Sequence, residues 1–464
     1  MTFLASILLL LQFLTGAGLL LWLRPVQSRV SFVALSLLVG LGISSVVPLV
    51  LEVAAIPLRR TIVFPAVFLL MMLCNFNTVR KLSHLKQVFS QKGRGFQLCE
   101  LPLLGLVGYL LFISAWKAAW FANISFDAIV GPDLVATYAV REEQLVSSVF
   151  TKHLPTASLY SNQPFYAPFT AMSQIMYLLT GLPFGKLWLT ALVVAFNLFL
   201  YAELRRLVHP LLLTLLFAVY WCTPELFAYT FLIQTDYSNM AFFAASVWLL
   251  HRYFTTSKTG VLATSILLMT LACWTRTETF FFVPIGVGFV FQKEYKQNWR
   301  RAVKLSIGMI LFPALTLLCW NVGFMHWYLP TAANTGSSLL TFASFDYQKT
   351  FTAMNKDVIL RPDYWNYLIP FFGTLTLINL LFFRDRRGLF FLIWLIGLYL
   401  IFGLILQHIN GANVAYTFRR GFFKAIPLMV MYLASSTLFQ KMSQWLDSIN
   451  LSPNGHSHTP QQNK

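Results

Sequence analysis

Charge is what this chain has least of. Only 11% of its 464 residues are charged, and acids are the scarcest, with 16 Asp and Glu against 34 Lys and Arg. A soluble domain carries about 25% charged residues, so a soluble globular fold is excluded. Cysteine is also sparse. The five, Cys74, Cys99, Cys222, Cys273 and Cys319, are scattered, mostly inside apolar runs, and none forms a CxxC pair. That excludes a disulfide framework and a cysteine zinc site. No tandem repeat of fixed period is present. The N-terminal apolar run lacks a basic leader and further apolar runs follow it, so it reads as a retained span and not as a cleaved signal.

What is abundant is apolar surface. The composition is 57% hydrophobic and 16% aromatic, with 44 Phe and 13 Trp, and the mean hydropathy is +0.66. Aromatics at this density suit lipid contact and interfacial belts. Runs able to cross a bilayer, at ~20 residues each, recur about 13 times between residues 2 and 438. The expected fold is therefore an all-α membrane protein: a polytopic helical bundle of about 13 transmembrane helices with an outer loop and juxtamembrane helices.

The formal net charge of +18 would suggest a nucleic-acid partner in a soluble protein. Here the basic residues sit in short connections between apolar runs, so membrane topology explains them and no nucleic acid is implied. The connection with Arg80, Lys81, Lys86, Lys92 and Arg94 is placed in the cytoplasm. Counting alternately, Arg205 and Arg206, 252–258, 293–304 and 384–387 also fall inside, and segments 126–168, 330–364 and 407–420 fall outside. Arg59 and Arg60 fall on the outer side, a misfit to the rule. Segment 169–183 is apolar but short, and reading it as a span would invert every later basic connection. It is assigned to a juxtamembrane helix at the outer interface. The polar tail 441–464 is expected to be cytoplasmic and, after Asp447, disordered.

Segment 126–168 is the long polar stretch before Pro330, and it holds four of the sixteen acids: Asp127, Asp133, Glu142 and Glu143. A carboxylate at the rim of an outer loop is placed to act as a general base toward an acceptor hydroxyl. Asp127 and Asp133 are the two candidates. The competing reading makes Asp133 a turn former after Gly131 and Pro132. The run from Tyr160 to Pro168, with Gln163 and Tyr166, is a stiff aromatic surface suited to a sugar ring, or an interfacial anchor.

Ionisable groups at membrane depth mark functional positions. Asp236, Arg276 and Glu278 lie at outer junctions, where Arg276 either orients a substrate or simply pairs with Glu278. Arg419, Arg420 and Lys424 put positive charge at the outer interface, against the positive-inside tendency. A lipid phosphate would compensate them; snorkelling cations are the alternative.

The order of these features resembles the GT-C superfamily, integral-membrane glycosyltransferases that use polyprenyl-phosphate-linked sugars. An acid, Asp127, follows a span at the head of the first large outer loop. A Pro-and-aromatic segment from Pro164 to Pro168 leads into an apolar helix. Thr235-Asp236 precedes Thr275-Arg276-Thr277-Glu278, and Arg419 to Pro427 opens the last span. The resemblance covers roughly residues 98–438, its order carrying more weight than any single motif.

It implies a catalytic domain over 98–440, with outer loops at 122–186 and 329–364, preceded by extra helices over 1–97. It implies Asp127 as base, with inverting displacement at the anomeric carbon. Arg419, Arg420 or Lys424 would hold the departing lipid phosphate. The implied partners are a polyprenyl-phosphate sugar donor, a glycan, lipid or protein acceptor, and membrane lipids of a cell (inner) membrane. Some members use a divalent metal and others none; no acidic cluster here compels one.

Two other classes compete. A polysaccharide polymerase or ligase would concentrate functional Arg and His in later loops, whereas the first outer loop is richest here. A lipid or polysaccharide transporter would show inverted repeats and broken helices near the midplane, and no such pair stands out.

Overall fold

The computed structural model describes residues 2–25, 28–76, 97–123, 125–151, 166–329, 346–385, 388–408 and 412–450. Secondary structure among them is entirely helical. Six helices are long and apolar enough to cross a bilayer: Phe3–Leu23, Arg29–Val53, Leu101–Trp120, Leu187–Leu204, Trp299–Tyr328 and Leu389–His408. A seventh is Val414–Ser435, continued after a 55° bend by Thr437–Ile449. Shorter apolar helices run over Arg60–Asn75, Pro210–Trp221, Thr259–Thr275 and Leu368–Phe383. This is a multi-pass helical membrane protein, with six or seven full-length apolar helices among the described residues where hydropathy suggests about 13 spans.

Part of the discrepancy has a physical cause in the helix Thr235–Thr256. Its 22 residues make it about 33 Å long, at 1.5 Å per residue. It does not qualify by hydropathy because it carries Asp236, Ser238, Asn239, Ser246, His251 and Arg252. Yet nearly all of it is buried, so its polar groups answer to protein and not to lipid. Asn239 donates through Nδ2 to Ala272 O at 2.7 Å and to the hydroxyls of Thr275 and Thr279 at 2.8 Å each. Ser246 and Ser265 each donate to the other's carbonyl, at 2.7 and 2.8 Å. This helix is the spine on which Thr259–Thr275 packs.

The two ends of the spine carry different charged groups. Its Arg252 end belongs to a set of paired basic residues: Arg252 with Glu203 at 2.8 Å, Arg205 with Glu100 at 2.7 Å, and Arg301 with Glu294 at 2.9 Å. Its Asp236 end carries the other charged group, described below. Three of the basic connections, at Arg205, Arg252 and Arg301, thus lie toward one end of the bundle.

Residues 169–183 differ from expectation. The helix Phe169–Leu178 does not lie along an interface with one face free: every residue from Phe169 to Tyr177 is buried. Phe169 meets Trp188 and Phe242 edge to face, at 5.6 and 5.3 Å between centroids. At ten residues it is too short to span, and its Thr170, Ser173 and Gln174 are buried along with its apolar residues, which places it in the core and not against lipid. At the other end of the chain the helix Thr437–Asn450 carries order past Asp447, into the segment assigned to a disordered tail.

The N-terminal helices pack into the same body. Tyr177 donates to Gln12 at 2.7 Å, and Ser31 donates to Glu203 at 2.5 Å. Glu52, buried, accepts from the backbone N–H groups of Leu145 and Val146 at 2.5 and 3.2 Å. Arg59 pairs with Glu143 at 2.5 Å, so one of the two basic residues that misfit the topology rule finds an acid in the first loop. Thr2–Leu23 and Arg29–Ser44 cross at glycines. A Cβ on Gly40 would lie 1.7 Å from Gln12 O, and one on Gly16 would lie 1.8 Å from Ser36 O. Gly40→Ala is therefore expected to force the pair apart and lower stability by about 1–3 kcal/mol. Thermal unfolding in detergent reads this, and an unchanged midpoint would show that the crossing is not tight.

Candidate functional site

At the Asp236 end of the spine the chain brings together charges from four separate segments. Asp127 stands on the short helix Phe126–Ile129, just beyond the apolar helix Leu101–Trp120. Two contacts fix that approach. Lys186 Nζ donates to Phe121 O at 2.7 Å, and Gln234 Nε2 donates to Ser125 Oγ. Asp236 lies in the first turn of the spine, where an acid complements the helix N-terminus. Arg276 and Glu278 occupy the bend after Thr275, where the chain tightens into a 3-10 turn. Arg420 and Lys424 come from the turns that open the final apolar helix.

The network these residues form is continuous. Arg420 donates to Asp236 Oδ2 through Nε at 3.0 Å and through Nη2 at 2.8 Å, and through Nη1 to Asp127 Oδ2. Arg276 Nη1 donates to the other Asp236 oxygen, and its Nε pairs with Glu278 Oε1. Lys424 Nζ approaches the same glutamate oxygen at 3.9 Å. Three carboxylates face three cations, so the cluster is close to electroneutral although it is mostly buried. That balance is what makes burial tolerable. The side chain of Asp236 is 0% exposed, that of Arg420 10%, and that of Asp127 23%. Asp127 is therefore the member of the Arg420 contacts that meets solvent.

Tyr166 adjoins the cluster. Its phenol lies within the fields of Arg420, Arg276, Asp127 and Asp236, and burial raises its pKa above the ordinary tyrosine value. Gln163 lies outside the described residues.

Asp133 lies in a separate set of contacts. It accepts from Asn123 Nδ2 at 2.6 Å and from Gln174 Nε2 at 2.9 Å, with Lys186 nearby. Burial raises its pKa despite these donors. Gln174 also donates to Phe184 O at 2.7 Å and accepts from Trp188 Nε1 at 2.9 Å. This set pins the helix Pro132–Glu142 to the core and shares no member with the Asp127 network.

Arg419 and Arg420, adjacent in sequence, part company. Successive residues on a helical turn point about 100° apart. Arg419 turns instead to Glu225, at 3.6 Å, and lies over the rings of Tyr364 at 4.7 Å and Tyr416 at 5.5 Å. Its Nε is buried without a hydrogen-bond partner. Burial raises the Glu225 pKa, against the pull of the Arg419 charge. Glu225 and Tyr364 are absent from the residues singled out in sequence. The available signal was Thr223-Pro224-Glu225, a proline-led first turn carrying one of the few acids. Among the described residues no three His, Cys, Asp or Glu side chains converge as a metal site.

Comparison with family models, with curated proteins and with solved structures finds no match to this chain.

Proposed function

We propose that this protein is a membrane glycosyltransferase, similar to the GT-C superfamily. It would transfer a sugar from a polyprenyl-phosphate donor to a glycan, lipid or protein acceptor at the outer face of a cell membrane. The observation that carries the reading is the direct contact of Asp127 with Arg420. It puts a solvent-reaching carboxylate against a buried cation, at the end of the bundle opposite the paired basic connections. The four motif segments named for the resemblance supply five further members of that network: Tyr166, Asp236, Arg276, Glu278 and Lys424.

The chemistry assigns each group a task. The acceptor oxygen attacks the anomeric carbon, and its proton passes to the Asp127 carboxylate. The bond from that carbon to the phosphate oxygen breaks on the opposite face, and the phosphate leaves with the electron pair. Its charge grows from a diester monoanion to a monoester dianion. Fixed guanidinium groups are suited to that growth because they need not reorganise. Arg420 meets the phosphate, while Arg419 stays turned to Glu225. Asp236 and Glu278 hold Arg420, Arg276 and Lys424 in place. Tyr166 offers a ring face to the sugar.

The test is direct. The purified protein, reconstituted in liposomes, is supplied with a panel of radiolabelled polyprenyl-phosphoryl sugars and extracted envelope glycans, lipids and proteins. Label is expected to move from the lipid fraction to one acceptor, with no transfer from nucleotide sugars. Folded protein that transfers no lipid-linked sugar of the panel would overturn the reading.

A further inference from the structure

Buried carboxylates in this protein are well supplied with donors. Glu52 and Asp133 each accept two hydrogen bonds, and Glu100 and Glu203 accept three each. Glu225 differs. Its side chain is only 17% exposed and its cation, Arg419, stays 3.6 Å away, beyond hydrogen-bond reach. It accepts no hydrogen bond from any described residue. Buried polar groups are nearly always hydrogen-bonded, so its oxygens are left to water or to a ligand. The guanidinium beside it lies over the rings of Tyr364 and Tyr416, and Tyr416 is 62% exposed. The pair is also close to the Arg420 network. Glu225 lies within the fields of Asp236 and Arg420. Tyr229, packed on Phe423 at 4.6 Å, lies within those of Asp236, Arg420, Glu225 and Arg419 together.

The chemistry of the pair narrows what it can take. A carboxylate and a guanidinium side by side carry no net charge, so they do not draw an anion. A phosphate brought to Arg419 would meet the like charge of Glu225. A hydroxyl suits both partners, because it donates to the carboxylate and accepts from the guanidinium. Two neighbouring hydroxyls on one ring engage both at once, and the exposed Tyr416 ring offers a flat wall beside them. Aromatic walls with a few placed polar groups are the common build of a small-molecule site. We propose, resting on the glycosyltransferase reading, that Glu225, Arg419, Tyr364 and Tyr416 form a subsite for a saccharide acceptor. Among glycan, lipid and protein acceptors, this selects the glycan. Glu225 accepts from adjacent ring hydroxyls, Arg419 donates to one of them, and Tyr416 lies against the ring. The donor keeps to Arg420 and Tyr166. Two adjacent residues that point apart, Arg419 and Arg420, thus hold the two substrates, and one turn of chain sets their separation.

The liposome transfer assay tests this when radiolabelled polyprenyl-phosphoryl sugars are offered extracted envelope glycans, sugar-free lipids and sugar-free proteins separately. Label is expected in the glycan fraction. Glu225→Gln keeps the size of the side chain and removes its charge. The KM for glycan is expected to rise about 10–100-fold, the worth of a hydrogen bond to a charged group, with the KM for donor unchanged. Glu225→Asp is expected to recover part of that loss. Tyr416→Ala, at an exposed ring, is expected to raise the glycan KM several-fold, again without moving the donor KM. Label in the sugar-free lipid or protein fraction overturns the subsite and leaves the transferase reading standing. So does a glycan KM that Glu225→Gln leaves unchanged; if that variant does not fold, Tyr416→Ala decides in its place. A rise in the donor KM instead assigns these residues to the sugar of the donor and overturns the acceptor subsite. Absence of transfer from every donor overturns the subsite and the transferase reading together.

Discussion

Asp127→Asn is expected to lower the rate of sugar transfer by about 10²–10⁴, the range that a general base supplies. The substitution keeps the size of the side chain and removes its ability to take a proton. The loss is expected in the chemical step and not in donor binding, so saturating donor should not recover it. Single-turnover transfer from a prebound donor separates the two effects. Membrane insertion and monodispersity should remain those of wild type, because Asp127 is partly exposed and Asp236 continues to compensate Arg420. Undiminished transfer would remove Asp127 as the base. The parallel variant Asp133→Asn locates the alternative: if the loss follows that position, then the pinned carboxylate under Asn123 and Gln174 is the reacting one.

How far the sequence carries can be judged from particular elements. Scarce charge and long apolar runs suffice for a helical membrane protein, because lipid leaves few other ways to satisfy a backbone. Ionisable groups at outer junctions single out Asp236, Arg276 and Glu278, a loop-rim carboxylate singles out Asp127, and cations against the positive-inside tendency single out Arg419, Arg420 and Lys424, of which all but Arg419 meet in the network. Buried charges need partners, and these six partner one another. The pairing of Arg276 with Glu278, weighed in sequence as the plain alternative to a substrate role, is present within the larger network. Other features were hidden for physical reasons. Hydropathy finds the spine but shortens it, because the polar groups toward its ends bond to neighbouring segments that a window of sequence cannot see. It likewise cannot tell that the helix Phe169–Leu178 is enclosed on every side, since enclosure by other helices leaves no mark in a short, mostly apolar run. The partition of Arg419 from Arg420 depends on side-chain direction around a turn. The pairing with Glu225 depends on contact across more than 190 residues.

Asp236→Asn is expected to be the most destabilising single change in the site, at about 3–5 kcal/mol, the range for removing one partner of a buried ion pair. Its carboxylate is fully buried and receives two guanidinium groups, Arg276 on one oxygen and Arg420 on the other. An amide there leaves three cations facing two carboxylates in a low-dielectric setting, and its Nδ2 presents a donor where a donor is already aimed. Against a typical total of about 5–15 kcal/mol, such a loss shows as a large fall in the midpoint of thermal unfolding in detergent, or as aggregation. The origin of the effect can be isolated with a second substitution. Arg420→Gln in the Asp236→Asn background removes the excess cation and is expected to recover part of the loss, a coupling that independent sites would not show. A single variant that melts with wild type would mean that Asp236 does not compensate its arginines. In that case the charge balance placing Arg420 beneath Asp127 would have to be supplied by something other than this carboxylate.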